Sequence, residues 1–305
     1  MKYKASSIQL PEPFSMSEMI GYLTRSANEC LFYVEADNVY RMIRVENEPV
    51  LVEITCRNDE LEVWILDGIP PTKSVRVTVD GYVRDWFDLD RDLRPFYRQM
   101  EHCPYVSGLV RDHTGLRIVG VPDLFEALCW AIVGQQINLA FAYTLKRRFV
   151  ETFGECLRLN GKEFWLFPSP ETIANLSVAE LRSIQFTSRK SEYVLEVAKR
   201  MTEGTLSKTS LMQSGDFKAA ERDLVKIRGI GPWTANYVLM RCLRDPSAFP
   251  IEDVGLHNAV KERLGINRKP TLDELRAIAS KWTGWEAYAT FYLWRSLYHT
   301  FRCRD

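Results

Sequence analysis

The feature that most constrains this chain is the segment Leu224-Val-Lys-Ile-Arg-Gly229-Ile-Gly231-Pro-Trp-Thr-Ala235-Asn-Tyr237. A short charged helix runs into Gly-Ile-Gly, and an apolar helix, Ala235–Arg241, follows. The two glycines permit a tight turn at positive φ, where a side chain would clash. Such a turn aims successive backbone N–H groups outward, beside the free N–H groups that open the next helix. The result is a small anion pocket of the size of a phosphate. Leu224 and Ile227 before the turn, with Ala235 and Val238 after it, can pack the two helices together. A bare Gly-x-Gly is an ordinary Gly-capped corner in helical proteins. The longer pattern Leu-x-x-Ile-x-Gly-Ile-Gly-x-x-Thr-Ala is far more specific.

Around this segment, 305 residues suffice for one large or two ordinary domains. No apolar run approaches the roughly 20 residues needed to cross a bilayer. The start, Met1-Lys-Tyr-Lys-Ala-Ser-Ser-Ile, lacks the apolar core of a secretion signal. A cytoplasmic location, or a nuclear one in a eukaryote, is therefore expected. Seven cysteines, at 30, 56, 103, 129, 156, 242 and 303, form no close pairs. That spacing argues against a disulfide framework and against a zinc site, and it lacks a clustered set for an iron–sulfur centre. No metal or cofactor is expected. Forty basic residues balance forty acidic ones. Zero net charge speaks against coating nucleic acid by bulk electrostatics but allows a local basic face. Lys218, Arg222, Lys226 and Arg228 lead into the glycine turn, and Arg295, Arg302 and Arg304 lie near the end of the sequence.

The chain changes character near Asp88-Leu-Asp-Arg-Asp-Leu. Residues 1–90 read as a sheet domain. A helix over Met16–Ala27, capped by Ser15 or Ser17, precedes alternating stretches at 31–34, 39–45, 50–55, 61–66 and 74–79. This is the pattern of an antiparallel sheet that one helix can cover. Residues 91–305 read as helical, with one non-helical interval at Cys156–Phe167. Helices are expected over Asp92–His102, Leu124–Val133, Leu139–Phe153, Ser191–Thr202, Asp216–Ile227, Asp253–Leu264, Leu272–Ser280 and Trp285–Thr300. Ser177-Val-Ala-Glu180 is a capping box. The fold class is thus α+β, a sheet domain followed by a helical body. Gly134-Gln135-Gln136-Ile137-Asn138 separates two of the helices, and each glutamine can donate and accept hydrogen bonds.

The glycine segment resembles the helix-hairpin-helix of the DNA glycosylase superfamily, in which a catalytic aspartate follows about one helix later. Phe249-Pro250-Ile251-Glu252-Asp253 stands at that place. By its position alone Asp253 is an N-cap. The two roles agree, since a carboxylate at a helix entrance is rigid and is kept ionised by the helix dipole. Breaking an N-glycosidic bond leaves positive charge on the sugar, which a preorganised anion stabilises. Trp233, Tyr237 and Trp294 can supply an aromatic slot for a flipped base. A cationic, alkylated purine gains roughly 0.5–2 kcal/mol per such contact.

The whole chain is similar to the AlkA-like 3-methyladenine-DNA glycosylase II family. The resemblance implies a TBP-like sheet domain joined to a helix-hairpin-helix body. It implies that Gly229, Ile230, Gly231 and Thr234 grip a DNA phosphate and that Trp233, Tyr237 and Trp294 line the base pocket. Asp253 becomes the catalytic aspartate. Ala131-Ile-Val-Gly-Gln-Gln-Ile137 matches the segment that enters the minor groove, with Gln135 and Gln136 at the DNA and Gln136 as the plug. A lysine just after the hairpin would mark a Schiff-base lyase. Pro232-Trp233 stands there instead, and no lysine follows until Lys261. The expected protein is a monofunctional, monomeric glycosylase acting on double-stranded DNA with alkylated bases. The alternatives are a bifunctional glycosylase/lyase for oxidised guanine and a non-catalytic damaged-DNA-binding protein.

Overall fold

The computed structural model describes residues 2–66, 70–213 and 215–298. Strand β1 (Lys2–Gln9) and helix α1 (Met16–Leu23) open the chain, followed by β2 (Phe32–Glu35), β3 (Asn38–Val45), β4 (Glu48–Arg57) and β5 (Glu60–Leu66). The five strands form one antiparallel sheet in the order β1-β5-β4-β3-β2. The fold class is as expected, a sheet domain followed by a helical body.

Two elements of the sheet domain differ from the sequence pattern. β1 lies in a polar stretch that carries no strand signal, and it pairs along β5 with a register shift between Lys4 and Ser6. The alternating stretch at 74–79 is not a strand but the start of α2 (Lys73–Phe87). Thr72 caps it by accepting from the Val75 N–H. Val79, Val83, Trp86 and Phe87 then make a buried stripe at helical spacing, while Val77 is exposed. Helical burial overrides the local alternation because only that stripe reaches the sheet.

In the body, α3 (Arg94–Met100), α4 (Ser107–Asp112), α5 (Leu124–Gly134) and α6 (Leu139–Phe153) come first. The non-helical interval forms a hairpin, β6 (Glu155–Leu159) with β7 (Lys162–Leu166). Then follow α7 (Pro170–Ala174), α8 (Val178–Ser183), α9 (Ser188–Thr202), α10 (Lys208–Met212), α11 (Phe217–Val225) and α12 (Pro232–Val238). A π-helical turn, Leu239–Leu243, extends α12. The last helices are α13 (Val254–Leu264), α14 (Leu272–Ala279) and α15 (Glu286–Ser296). The expected helix over Trp285–Thr300 ends at Ser296, and Thr300 lies outside the described residues.

The sheet is covered on both faces. Val52 and Ile54 belong to the main core, which runs without a break into the helical body. Leu51 and Met42 instead pack with Phe164 and Leu166 of the β6–β7 hairpin. Successive strand residues point to opposite faces, so the run Leu51-Val52 is apolar because each face has its own cover. Buried charges also join the halves. Arg41 on β3 pairs with Glu126 on α5 at 2.6 Å, and Glu18 on α1 accepts from Arg295 on α15 at 3.1 Å.

Arg117 is fully buried in the connection between the halves. It donates to the carbonyls of Asp88 at 2.5 Å, Arg91 at 2.9 Å and Pro13 at 3.3 Å. Arg117→Met fills similar space but strands those acceptors. Chemical denaturation should show a loss of about 3 kcal/mol. A loss below about 1 kcal/mol would mean that the carbonyls find other partners.

Candidate active site

Helix α11 ends in the turn that carries the glycines. Gly229 has φ +91°, and a Cβ there would lie 2.2 Å from a ring carbon of Tyr193. Only glycine fits, for reasons of both backbone and space. Gly231 differs from the expected positive φ. It is the extended N-cap of α12, with φ −90° and ψ 177°, and open space lies where its Cβ would be. Pro232 follows at the first helical position, which lacks a hydrogen-bond partner in any case.

The turn's expected anion donors divide into two groups. The N–H groups of Gly229 and Gly231 donate to no backbone carbonyl among the described residues. The Ile230 N–H, by contrast, closes the turn onto the Ile227 carbonyl at 3.0 Å, and its side chain is buried. Ile230 therefore holds the hairpin's shape instead of offering a donor. Thr234 is 2% exposed, and its hydroxyl accepts from Gln135 Nε2 at 3.0 Å. The same Gln135 nitrogen donates to the Gly229 carbonyl at 2.9 Å. Gln135 and Thr234 thus latch the α5–α6 turn to the hairpin. Gln136 is left exposed beside them at φ +56°, an uncommon conformation for a non-glycine residue.

Of the basic residues, Arg222, Lys226 and Arg228 are exposed and paired with Asp216, Asp223 and Glu192. Lys218 is exposed on the same helix. Arg295 is not part of a basic face: it is buried, 7% exposed, and its side chain is tied to Glu18. Arg302 and Arg304 lie outside the described residues.

Asp253 caps α13, its Oδ1 accepting from the Leu256 N–H at 2.8 Å. The same oxygen accepts from Trp294 Nε1 at 2.7 Å, and Oδ2 accepts from Trp233 Nε1 at 3.1 Å. Three donors fix the carboxylate in place. Tyr237 completes the aromatic group, its ring centroid 5.8 Å from Trp233 and 6.2 Å from Trp294. It is 5% exposed, and burial pushes its phenol up. The structure thus brings the carboxylate and all three aromatic residues together.

Several supporting residues carry no sequence signal of their own. Asn236 Oδ1 accepts from the Phe249 N–H at 2.9 Å and so ties the hairpin helix to the loop that delivers Asp253. An asparagine inside an apolar helix is the only hint of this. Gly255 leaves room for the site, since a Cβ there would lie 3.0 Å from Asp253 Oδ1 and 3.1 Å from Trp294. Tyr22, from α1 of the sheet half, packs on Phe291 at 4.4 Å and on Tyr298 at 6.0 Å. Burial pushes the Tyr298 phenol up to about 12.

Comparison with known proteins accords with this geometry. Residues 129–284 match the family described as HhH-GPD superfamily base excision DNA repair protein. Residues 7–128 match the 8-oxoguanine DNA glycosylase N-terminal domain. A DNA-3-methyladenine glycosylase of Bacillus subtilis is 49% identical over 95% of this chain and 96% of its own. DNA-3-methyladenine glycosylase 2 of Escherichia coli is 32% identical over 59% of this chain and 60% of its own. The solved 3-methyladenine DNA-glycosylase of Archaeoglobus fulgidus shares the fold, with a TM-score of 0.82 and 23% identity over 98% of this chain and 100% of its own. A hairpin latched to a two-indole carboxylate, a family match over half the chain and a relative sharing nearly half its residues lead to one assignment: the chain belongs to the DNA-3-methyladenine glycosylases of the HhH-GPD superfamily, enzymes of base excision repair that hydrolyse N-glycosidic bonds.

Proposed function

We propose that this enzyme excises alkylated purines, among them 3-methyladenine and 7-methylguanine, from double-stranded DNA and leaves an abasic site without cutting the strand. The observation that carries the reading is the Asp253 carboxylate, held by two indole N–H groups and a helix N-terminus. In this reading Gly229 and Gly231 hold a phosphate of the lesion strand through their N–H groups. Gln136 enters the space left by the flipped nucleotide, its turn braced by Gln135 and Thr234. Unstacking costs least where alkylation has already weakened the pair. The base enters beside Trp233, Tyr237 and Trp294, whose π faces favour a cationic ring.

The chemistry then needs little more than charge placement. As the bond from sugar to base breaks, positive charge develops on the sugar, and the fixed carboxylate stabilises it. Water adds to the sugar carbon, with Asp253 positioned to orient it or take its proton. Pro232-Trp233 occupies the place where a Schiff-base lysine would follow the hairpin, which supports water as the nucleophile. The match of residues 7–128 to the 8-oxoguanine glycosylase N-terminal domain favours one other reading, a glycosylase/lyase for oxidised guanine.

Release of free bases from methylated DNA, resolved by chromatography, tests the activity directly. Asp253→Asn should reduce release by at least about 100-fold while DNA binding is retained. The substitution keeps an N-cap acceptor but turns an amide N–H₂ toward one indole N–H, so stability should fall by about 1 kcal/mol. Unchanged release would remove the carboxylate from the reaction. Borohydride treatment during turnover separates the two readings. No covalent enzyme–DNA adduct is expected, and a trapped adduct would establish the lyase.

A further inference from the structure

Behind Tyr237 the protein buries more positive charge than it neutralises. The cleft there is lined by Arg25, Arg41, Lys146 and Arg241 against only Glu29 and Glu126. Lys146 Nζ donates to both oxygens of Glu29, at 2.8 and 2.9 Å, and Arg41 donates to Glu126 at 2.6 Å. Neither Arg25 nor Arg241 forms an ion pair among the described residues. Arg25 stacks on the Tyr22 ring at 3.9 Å and donates to the Tyr22 carbonyl at 2.9 Å. A buried cation without a carboxylate partner is costly to keep, and Arg241 is 4% exposed.

The contacts of Arg241 show where its charge acts. Its Nε donates to the Val119 carbonyl at 2.6 Å. Its Nη1 donates to the Tyr22 hydroxyl at 2.8 Å and to the Tyr237 hydroxyl at 3.1 Å. A guanidinium can only donate, so both tyrosine oxygens accept and their own hydrogens turn away from it. Burial keeps the Tyr237 phenol protonated. Tyr237 is also the ring in contact with both indoles that hold Asp253. The aromatic group therefore has an anion on its indole N–H groups and a cation on its phenol.

We propose that Arg241 is a positioning residue for bond cleavage, anchoring Tyr237 and Tyr22 through their hydroxyls from behind the aromatic group while its charge draws the bonding electron pair onto the flipped base. This rests on the site being the base pocket of a glycosylase. The bond between the sugar carbon and the base nitrogen breaks, and its electron pair leaves with the base. The positive charge stays on the sugar beside Asp253. Water oxygen bonds to the sugar carbon and gives up a proton. A ring-alkylated, cationic purine departs neutral and gains little from Arg241. A neutral purine such as hypoxanthine departs as an anion, gains most, and takes up a proton in place of the one water released.

The test is single-turnover release from two duplexes, one carrying hypoxanthine and one carrying 7-methylguanine, with DNA affinity measured alongside. Arg241→Gln keeps a donor for the hydroxyls but removes the charge. Hypoxanthine release should fall at least tenfold more than 7-methylguanine release. Tyr22→Phe, which leaves the guanidinium in place, should shift the same ratio in the same direction, and it decides the matter if Arg241→Gln does not fold. A loss equal on both lesions marks a merely structural arginine and overturns the inference. So does an unchanged ratio, or a wild type that releases 7-methylguanine but no hypoxanthine. A wild type that releases neither base removes the glycosylase reading itself.

Discussion

A carboxylate held by two indole N–H groups is the interaction on which the site depends. Asp253 begins α13, Trp233 sits in the first turn of α12, and Trp294 lies on α15. Three helices from separate parts of the sequence are thereby set to one point. Each bond is charge-assisted, and such bonds are roughly twice as strong as neutral ones. The arrangement uses the indoles twice, as donors at their edges and as apolar surfaces at their faces. It also explains why the hairpin and the last helix must be parts of one rigid body.

The hairpin brings order of a second kind. Gln135 spans from the α5–α6 turn to Gly229 and Thr234. Asn236 spans from α12 to the loop before Asp253. Both are amides, which donate and accept at once, and Gln135 joins segments far apart in sequence. Together they hold Gln136, the glycine turn and the carboxylate at fixed spacing.

Much of this was legible in the residues. The glycine turn, the cap at Asp253 and the strands from β2 to β5 follow from local chemistry, because backbone conformation and short-range hydrogen bonds determine them. The alternation at 74–79 misled because a helix can carry valines at every second position when only some of them are buried. β1 was illegible because an edge strand needs no apolar alternation when its partner supplies the ladder. Ile230 and Thr234 lie in the motif beside true surface groups, and only the three-dimensional packing shows that both are turned inward. Tyr22 and Arg241 were hidden for another reason. Their role arises where α1 of the sheet half meets the π-helical turn, and no sequence spacing records that meeting.

The π-helical turn at Leu239–Leu243 has a consequence for how this part of the chain tolerates change. A π turn holds one residue more than the α turn it replaces. Deleting any one of its residues would let an ordinary helix form without breaking the chain. An α turn with one residue fewer completes the same revolution, so the chain beyond it would keep nearly its present direction relative to the hairpin, and the change would fall on the residues of the turn itself. Arg241, inside the turn, would shift against the two tyrosines, while the loop carrying Asp253 would start from nearly the same base. The extra residue of this segment is therefore what sets Arg241 opposite the two tyrosines.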